Sequence, residues 1–391
     1  MAIFGSIKEY FHSVGDNNRK RFKKVVLAAP FWVILISVGM LTYGIIKNVT
    51  EICNRYDQRM AAYWTQDGDM SYRQLSVFAR GARSGGDTTP MAYISPEQSL
   101  KRADILMTRT SLQGIVDSGN TGKKDKGLDK DGRPVGWEDC FSSTVVGEVA
   151  TYTGTSDTNN SLSVNVDAEL VAVDGNFKAF HPFEFLSGGF LPENCVDINQ
   201  IVLNDVIAWR FYNSYDVVGN QITLWGKVFT VIGVVSEPTS SVDRAVGVDN
   251  PRAYIYFSAL ENYCPLSADS EATGDYAIEC YEAMLPEMVN NVSVNDLKTS
   301  LPSYTDSNPQ MVVISNTGRF GMFKVIDWMV PIGETSQTMA QYELPYWEKA
   351  AQLTTEHLFV NIIIIAAGAV LLFIGIIMVV LKLRKFTNEN K

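Results

Sequence analysis

The chain has 391 residues, 19% of them charged, and a formal net charge of −10. So acidic a balance argues against nucleic acid as a partner, because phosphate contacts need basic patches. The three histidines, His12, His181 and His357, fall in three separate regions, so no histidine metal cluster or acid–base pair suggests itself. There is no Gly-x-Ser-x-Gly elbow, and GNTGKK at 119–124 lacks the glycine spacing and trailing Ser or Thr of a phosphate loop. No catalytic residue, bound cofactor or metal centre is expected, and the chain reads as non-enzymatic.

Residues 1–14, MAIFGSIKEYFHSV, set apolar side chains at helical spacing and suggest a short amphipathic helix within a cytoplasmic segment 1–24. Residues 25–46 and 358–381 then carry no charge at all. At about 1.5 Å per residue each forms a helix roughly 33–36 Å long, enough to cross a hydrocarbon core. The first run is too long for a cleaved signal peptide and has no small-x-small site before Lys47, so it reads as an uncleaved anchor. The segments outside the two runs, 1–24 and 382–391, hold ten basic and three acidic residues, whereas residues 47–357 hold 23 and 40. Basic flanks stay in the cytoplasm, which predicts a two-pass protein of the cell membrane with both termini inside and residues 47–357 outside.

That outer segment reads as a globular α+β domain. A helix is expected over 48–80, continuing from the first span, and another opening at Ser95-Pro96 through Asp104. Gly-rich polar runs at 81–90, 117–134 and 153–161 read as loops. Strands are expected over 143–153, 161–173, 277–285 and 311–316, with helices over 293–301 and 345–359, the last feeding into the second span. Within GLDKDGRPVGWE, residues 127–138, Asp129, Asp131 and Glu138 fall at calcium-loop positions, but the first ligand position is Gly127. An Asp-Gly hairpin turn explains that segment as well. Five cysteines lie outside, an odd number, and Cys264 with Cys280 is the first choice for a disulfide, the alternative being that all are small buried side chains. Asn361, the one polar residue in the second span, is either an interhelical contact or a tolerated residue near the helix end.

The most punctuated stretch is IVLNDVIAWRFYNSYDVVGNQITLWGKVFTVIGVV, residues 201–235. Asn204 ends a strand and is placed to cap a helix from Asp205, Gly219 supplies a turn, and two β-rich runs meet at Gly226. Together with Ser187-Gly188-Gly189 before it, Val231-Ile232-Gly233-Val234-Val235 at its end and PRAYIYFS after it, this stretch resembles the periplasmic core domain of MacB/FtsX-type ABC transporter permeases. The resemblance is strong over about 90 residues and makes Gly188, Asn204, Gly219 and Gly233 structural motif positions.

The resemblance implies a scaffold that transmits movement. It implies a cytoplasmic ABC ATPase as partner, with ATP bound there and not on this chain. Permeases of that family have four membrane helices, and two are found here, in a shortened form. A further membrane permease subunit, or a second copy of this chain, is therefore expected in the complex. The competing expectation is a membrane-anchored receptor or scaffold that binds extracellular peptide, lipid or cell-wall components without an ATPase.

Overall fold

In the computed structural model the described residues are 29–66, 71–79, 100–119, 127–151, 164–193, 195–265, 276–287, 292–302, 304, 311–329 and 344–389. The chain divides into a unit of Met1–Cys53 with Thr355–Lys391 and a central unit, Asn54–Thr354.

The first element, α1, spans Ala29–Cys53. A single turn of 3₁₀ helix, Asp57–Arg59, leads to α2 (Met60–Gln66), β1 (Tyr72–Ala79) and α3 (Arg102–Gly119). Then come β2 (Glu138–Thr151), β3 (Asn165–Gly175), α4 (Phe177–Phe180), β4 (Glu184–Gly188), β5 (Gln200–Asn204) and α5 (Asp205–Tyr212). After these stand β6 (Gln221–Leu224), β7 (Lys227–Ser236), α6 (Ser241–Ala245), β8 (Arg252–Tyr256), α7 (Phe257–Tyr263) and β9 (Cys280–Pro286). The order ends with α8 (Val292–Ser300), β10 (Met311–Ser315), α9 (Met322–Met329) and α10 (Tyr346–Glu389).

In the unit that contains α1 and the later part of α10, glycines set the approach of the two helices. A Cβ on Gly44 would lie 2.5 Å from Ile365 Cγ1, and one on Gly375 would lie 2.7 Å from Ile34 Cγ1. Small residues at such crossings let apolar helices come close enough for dispersion contact where the surrounding lipid offers no hydrophobic gain. Both helices are long and apolar enough to span a membrane.

The central unit is one mixed sheet with helices packed on it. Strand β2 pairs along its length with β3, and its end, Val149–Thr151, also pairs with β6. The chain of pairings β2–β3–β8–β5–β7–β6 returns to β2, so these six strands close a ring. Alternation fills its interior: Leu170 and Ala172 of β3, Ile201 and Leu203 of β5 and Ala253 and Ile255 of β8 join one aliphatic cluster. The first half of β2 continues the sheet outward through β9, β1 and β10, all antiparallel. On the opposite face a second cluster is aromatic, built from Phe177, Phe180, Tyr254 and Trp347 among others.

Two sequence expectations change. The helix expected over 48–80 stops at Gln66, and residues 72–79 form β1 instead. Leu75, Val77 and Ala79 face the aliphatic cluster and Phe78 the aromatic one, so the strand is buried on both faces, its polar Gln74 and Ser76 included. The polar run read as a loop from 117 begins inside α3, which ends at Gly119. The amphipathic helix of 1–14, the start at Ser95-Pro96 and the loops at 81–90 and 153–161 lie outside the described residues. Elsewhere the expected strands and helices stand with their ends moved by a few residues, as capping and pairing decide where an element stops.

Candidate functional site: a buried ionic joint

Within the central unit, the residues that follow α1 in sequence and those that open α10 are held to the sheet by buried charges. Arg55, two residues after α1 ends, pairs with Asp243 of α6, both side chains almost wholly buried. Asp243 is itself fixed, because it forms a capping box with Ser240 at the start of α6. The next residues run into a chain of amides. Gln58 donates to Asp57 at 2.8 Å and accepts from Arg319 at 3.3 Å, and Gln74 of β1 donates to the Asp57 carbonyl at 2.7 Å.

Arg319 turns toward α10. Its two terminal nitrogens each donate to Glu348 at 2.7 Å, and Glu348, in the first turn of the helix, is fully buried. An acidic side chain suits a helix N-terminus, and the bidentate geometry fixes it there. Two residues earlier, Tyr346 donates to Glu237 at 3.1 Å and shares a hydrogen bond of 3.0 Å with the Tyr254 hydroxyl. The Arg252 guanidinium lies 3.6 Å from the centre of the Tyr346 ring and pairs with Glu237 and Glu169. A cation over a ring in a desolvated site is one of the stronger contacts of its kind.

A fourth pair sits behind Trp347. His181 Nε2 meets the Glu282 carboxylate, and the imidazole lies 4.5 Å from the rings of both Phe177 and Trp347. Burial alone would pull the His181 pKa down. Glu282 beside it, with Asp57 and Glu237, outweighs that and holds it above the usual imidazole value. Asp57 is pushed up by burial against the pull of Arg55. The thiols of Cys140 and Cys280 and the hydroxyls of Tyr254 and Tyr281 are all driven well up by burial. Buried as they are, these groups hold structure together. Chemically, the arrangement clamps two chain segments to one sheet.

Apart from Cys280, none of these residues is a candidate site residue in the sequence. The other candidates are in other places. Asn204 caps α5 as expected: Oδ1 accepts from the Ile207 amide at 3.1 Å, and Nδ2 donates to the Asn250 carbonyl at 2.9 Å. Gly188 and Gly233 are register partners where β4 lies on β7. Gly188 has φ +67°, and a Cβ there would stand 2.1 Å from the Ile232 carbonyl oxygen. A Cβ on Gly233 would come equally close to the Gly189 oxygen, so this crossing admits only glycine on both sides. Gly219 turns the chain with φ +89°. Asn361 is buried, in the helix unit, and its carbonyl lies 3.4 Å from where a Gly44 Cβ would stand.

One expectation, the disulfide, does not hold, and the calcium-loop candidate does not assemble. Cys264 and Cys280 are free thiols. Cys264 follows α7 and packs in the aliphatic cluster, whereas Cys280 of β9 packs in the aromatic one, so the sheet separates them. Asp129, Asp131 and Glu138 do not assemble a calcium site. Asp129 spends its carboxylate on the amides of Asp131 and Arg133 at 2.9 and 2.8 Å, forming a turn, while Glu138 opens β2 and accepts from Asn176. Among the described residues no group of three potential ligands comes together.

Residues 94–279 match the family model of the MacB-like periplasmic core domain. Among solved structures, the periplasmic region of MacB from Actinobacillus actinomycetemcomitans is similar at 15% identity, covering 62% of this chain and 89% of that one with a TM-score of 0.39. The extracellular domain of YknZ, a noncanonic ABC-type transporter from Gram-positive bacteria, is similar at 13% identity, covering 62% and 99% with a TM-score of 0.35. A search of curated proteins finds no match.

Proposed function

We propose that this chain, whose residues 94–279 match the family model of the MacB-like periplasmic core domain, is a non-catalytic membrane subunit of an ABC transporter complex. A cytoplasmic ATPase binds and hydrolyses ATP, and the two apolar helices carry the resulting movement to the core domain. A further permease subunit, or a second copy of this chain, completes the membrane part. The cytoplasmic segments that meet the ATPase are 1–24 and 382–391, where ten basic residues gather.

One observation carries this reading. The segments adjoining both helices end in buried, multiply bonded ion pairs on a single sheet: Arg55 with Asp243, and Glu348 with Arg319. Long flexible linkers would dissipate a displacement. A clamp whose side chains are desolvated and geometrically fixed passes it on, and buried ion pairs trade stability for a unique arrangement. The apolar, chemistry-poor interior of the strand ring fits a lever in the same way.

The test is mass spectrometry of what co-purifies from native membranes in mild detergent. Wild-type protein is expected to bring down an ABC-type ATPase. Reversing Arg19, Arg21, Lys382 and Arg384 to glutamate is expected to lose it while the core domain stays folded. Recovery of no ATPase with the wild-type chain would contradict coupling and favour a membrane-anchored receptor or scaffold.

A further inference from the structure

A cavity of about 460 Å³ opens in the central unit between α3, the 127–137 loop and residues Cys195–Val196, sharing no lining residue with the joint. Its size falls within the roughly 300–1,000 Å³ of small-molecule sites. Its charge runs against that of the chain. Arg102, Arg109, Lys130 and Arg133 line it, with Asp131 and Asp174 the lining acids among the described residues, in a protein with 43 acidic and 33 basic residues.

The basic groups are not equivalent. Arg109 is almost fully buried and is locked from behind: Nε and Nη2 bond Asp139 at 2.6 and 3.0 Å, and Asp139 also accepts from the Tyr281 hydroxyl at 3.0 Å. Arg109 lines the cavity, and Nη1 is not among the atoms it spends on Asp139. Arg133 pairs with Glu193 at 2.6 Å, and Arg102 with Asp174 at 3.0 Å and Glu261 at 3.3 Å. Lys130 is exposed and makes no ion pair among the described residues. Beside the charges lies a solvent-exposed apolar strip: Leu106 is 46% exposed and Val196 98% exposed, with the buried Phe141 ring also lining the cavity.

We infer that this cavity binds a small organic monoanion with an apolar body. The carboxylate is taken by Lys130 and Arg109, and the body lies on Leu106, Phe141 and Val196. Asp131 and Asp174 at the same wall disfavour a dianion such as a phosphate monoester. The loop that resembles a cation site in sequence thus faces an anion site, because its aspartate is used up in the turn and its basic residues point to the cavity.

The probe is 3-phenylpropionate, titrated against the full chain in lipid nanodiscs by saturation-transfer NMR, with signal from empty discs subtracted. Binding is expected, with 3-phenylpropanamide weaker by about tenfold or more, the loss of one charged hydrogen bond. Lys130→Glu, at an exposed position where the fold is not at stake, is expected to weaken the acid by a similar factor at unchanged Tm. Arg109→Lys keeps the charge next to Asp139 while removing the fork, and is expected to weaken binding too. No binding by the wild type, equal binding of the amide, or a Lys130→Glu variant of undiminished affinity would each overturn the site.

Discussion

The two faces of the central sheet are built on different principles. Inside the strand ring, Ile201, Leu203, Ala253 and Ile255 pack aliphatic against aliphatic, and the buried Arg109–Asp139 pair that Tyr281 bonds stands outside it, where β2 pairs with β9. On the other face, aromatic rings surround buried ion pairs: Arg252 with Glu237, Arg319 with Glu348 and His181 with Glu282. The first face is held by volume and area, which many sequences supply. The second is held by direction, since each ion tolerates few positions. The chain segments that adjoin the two membrane-length helices are fixed on the second face, where geometry and not bulk decides what is held.

That contrast is open to breakage, beginning with the largest effect. Arg319→Ala leaves Glu348 buried without its partner and is expected to destabilise the protein by about 3–5 kcal/mol, read from denaturant unfolding of the purified chain. The paired replacement Arg319→Met with Glu348→Leu should return most of that loss, since apolar groups of similar volume replace a buried pair at little cost. If the double variant is as unstable as the single one, the joint is held by something other than its charges. On the aliphatic face, Leu203→Ala is expected to cost about 2–5 kcal/mol with no partner substitution able to rescue it except refilling the volume. A smaller effect, about 1 kcal/mol, follows Asn204→Ala, which removes the cap of α5. A loss far above that would mean the Asn204 contact to Asn250 matters more than the cap.

The smallest effect is a pH slope. His181 keeps its proton to higher pH when folded than when unfolded, so its stabilisation is complete below about 6.5, its ordinary value, and is lost as pH rises through the raised folded value. Asp57, also raised, acts in the same direction from the ordinary carboxylate range upward. Unfolding of His181→Gln should show a flatter dependence on pH than wild type above that point. An identical slope in both proteins would detach the histidine from the joint.

How much of this was readable in advance follows from sequence separation. The cap at Asn204, the turn at Gly219 and the Trp225–Gly226 hairpin are local, and short-range signals describe them well. The two membrane-length helices announce themselves by composition. Gly188 and Gly233 carried meaning through their resemblance to a family, and the geometric reason for them needs β4 and β7 side by side. The joint was hidden because its partners are far apart in the chain: Arg55 and Asp243 are separated by 188 positions, Gln58 and Arg319 by 261. A signal was present in PYWEKAAQL, where Glu348 stands among aromatic and small residues at a helix start, but nothing in one sequence names its partner. Strand β1 carries a short alternation, Gln74-Leu75-Ser76-Val77, too brief to stand out beside the helical spacing of Ile52, Tyr56, Met60 and Tyr63 before it.

The central claim is that the joint is rigid while the helices move. Its most direct test is pulsed electron resonance on the ATPase-bound complex, with Cys53 and Cys195 replaced by serine. One spin-label pair sits at Tyr63 and Lys349, both exposed and both in the central unit, and a second at Trp32 and Val380 in the helix unit. Coupling through a rigid clamp predicts that trapping the ATPase with nucleotide shifts the Trp32–Val380 distance and leaves Tyr63–Lys349 unchanged. A change at Tyr63–Lys349, or none at Trp32–Val380, would contradict it.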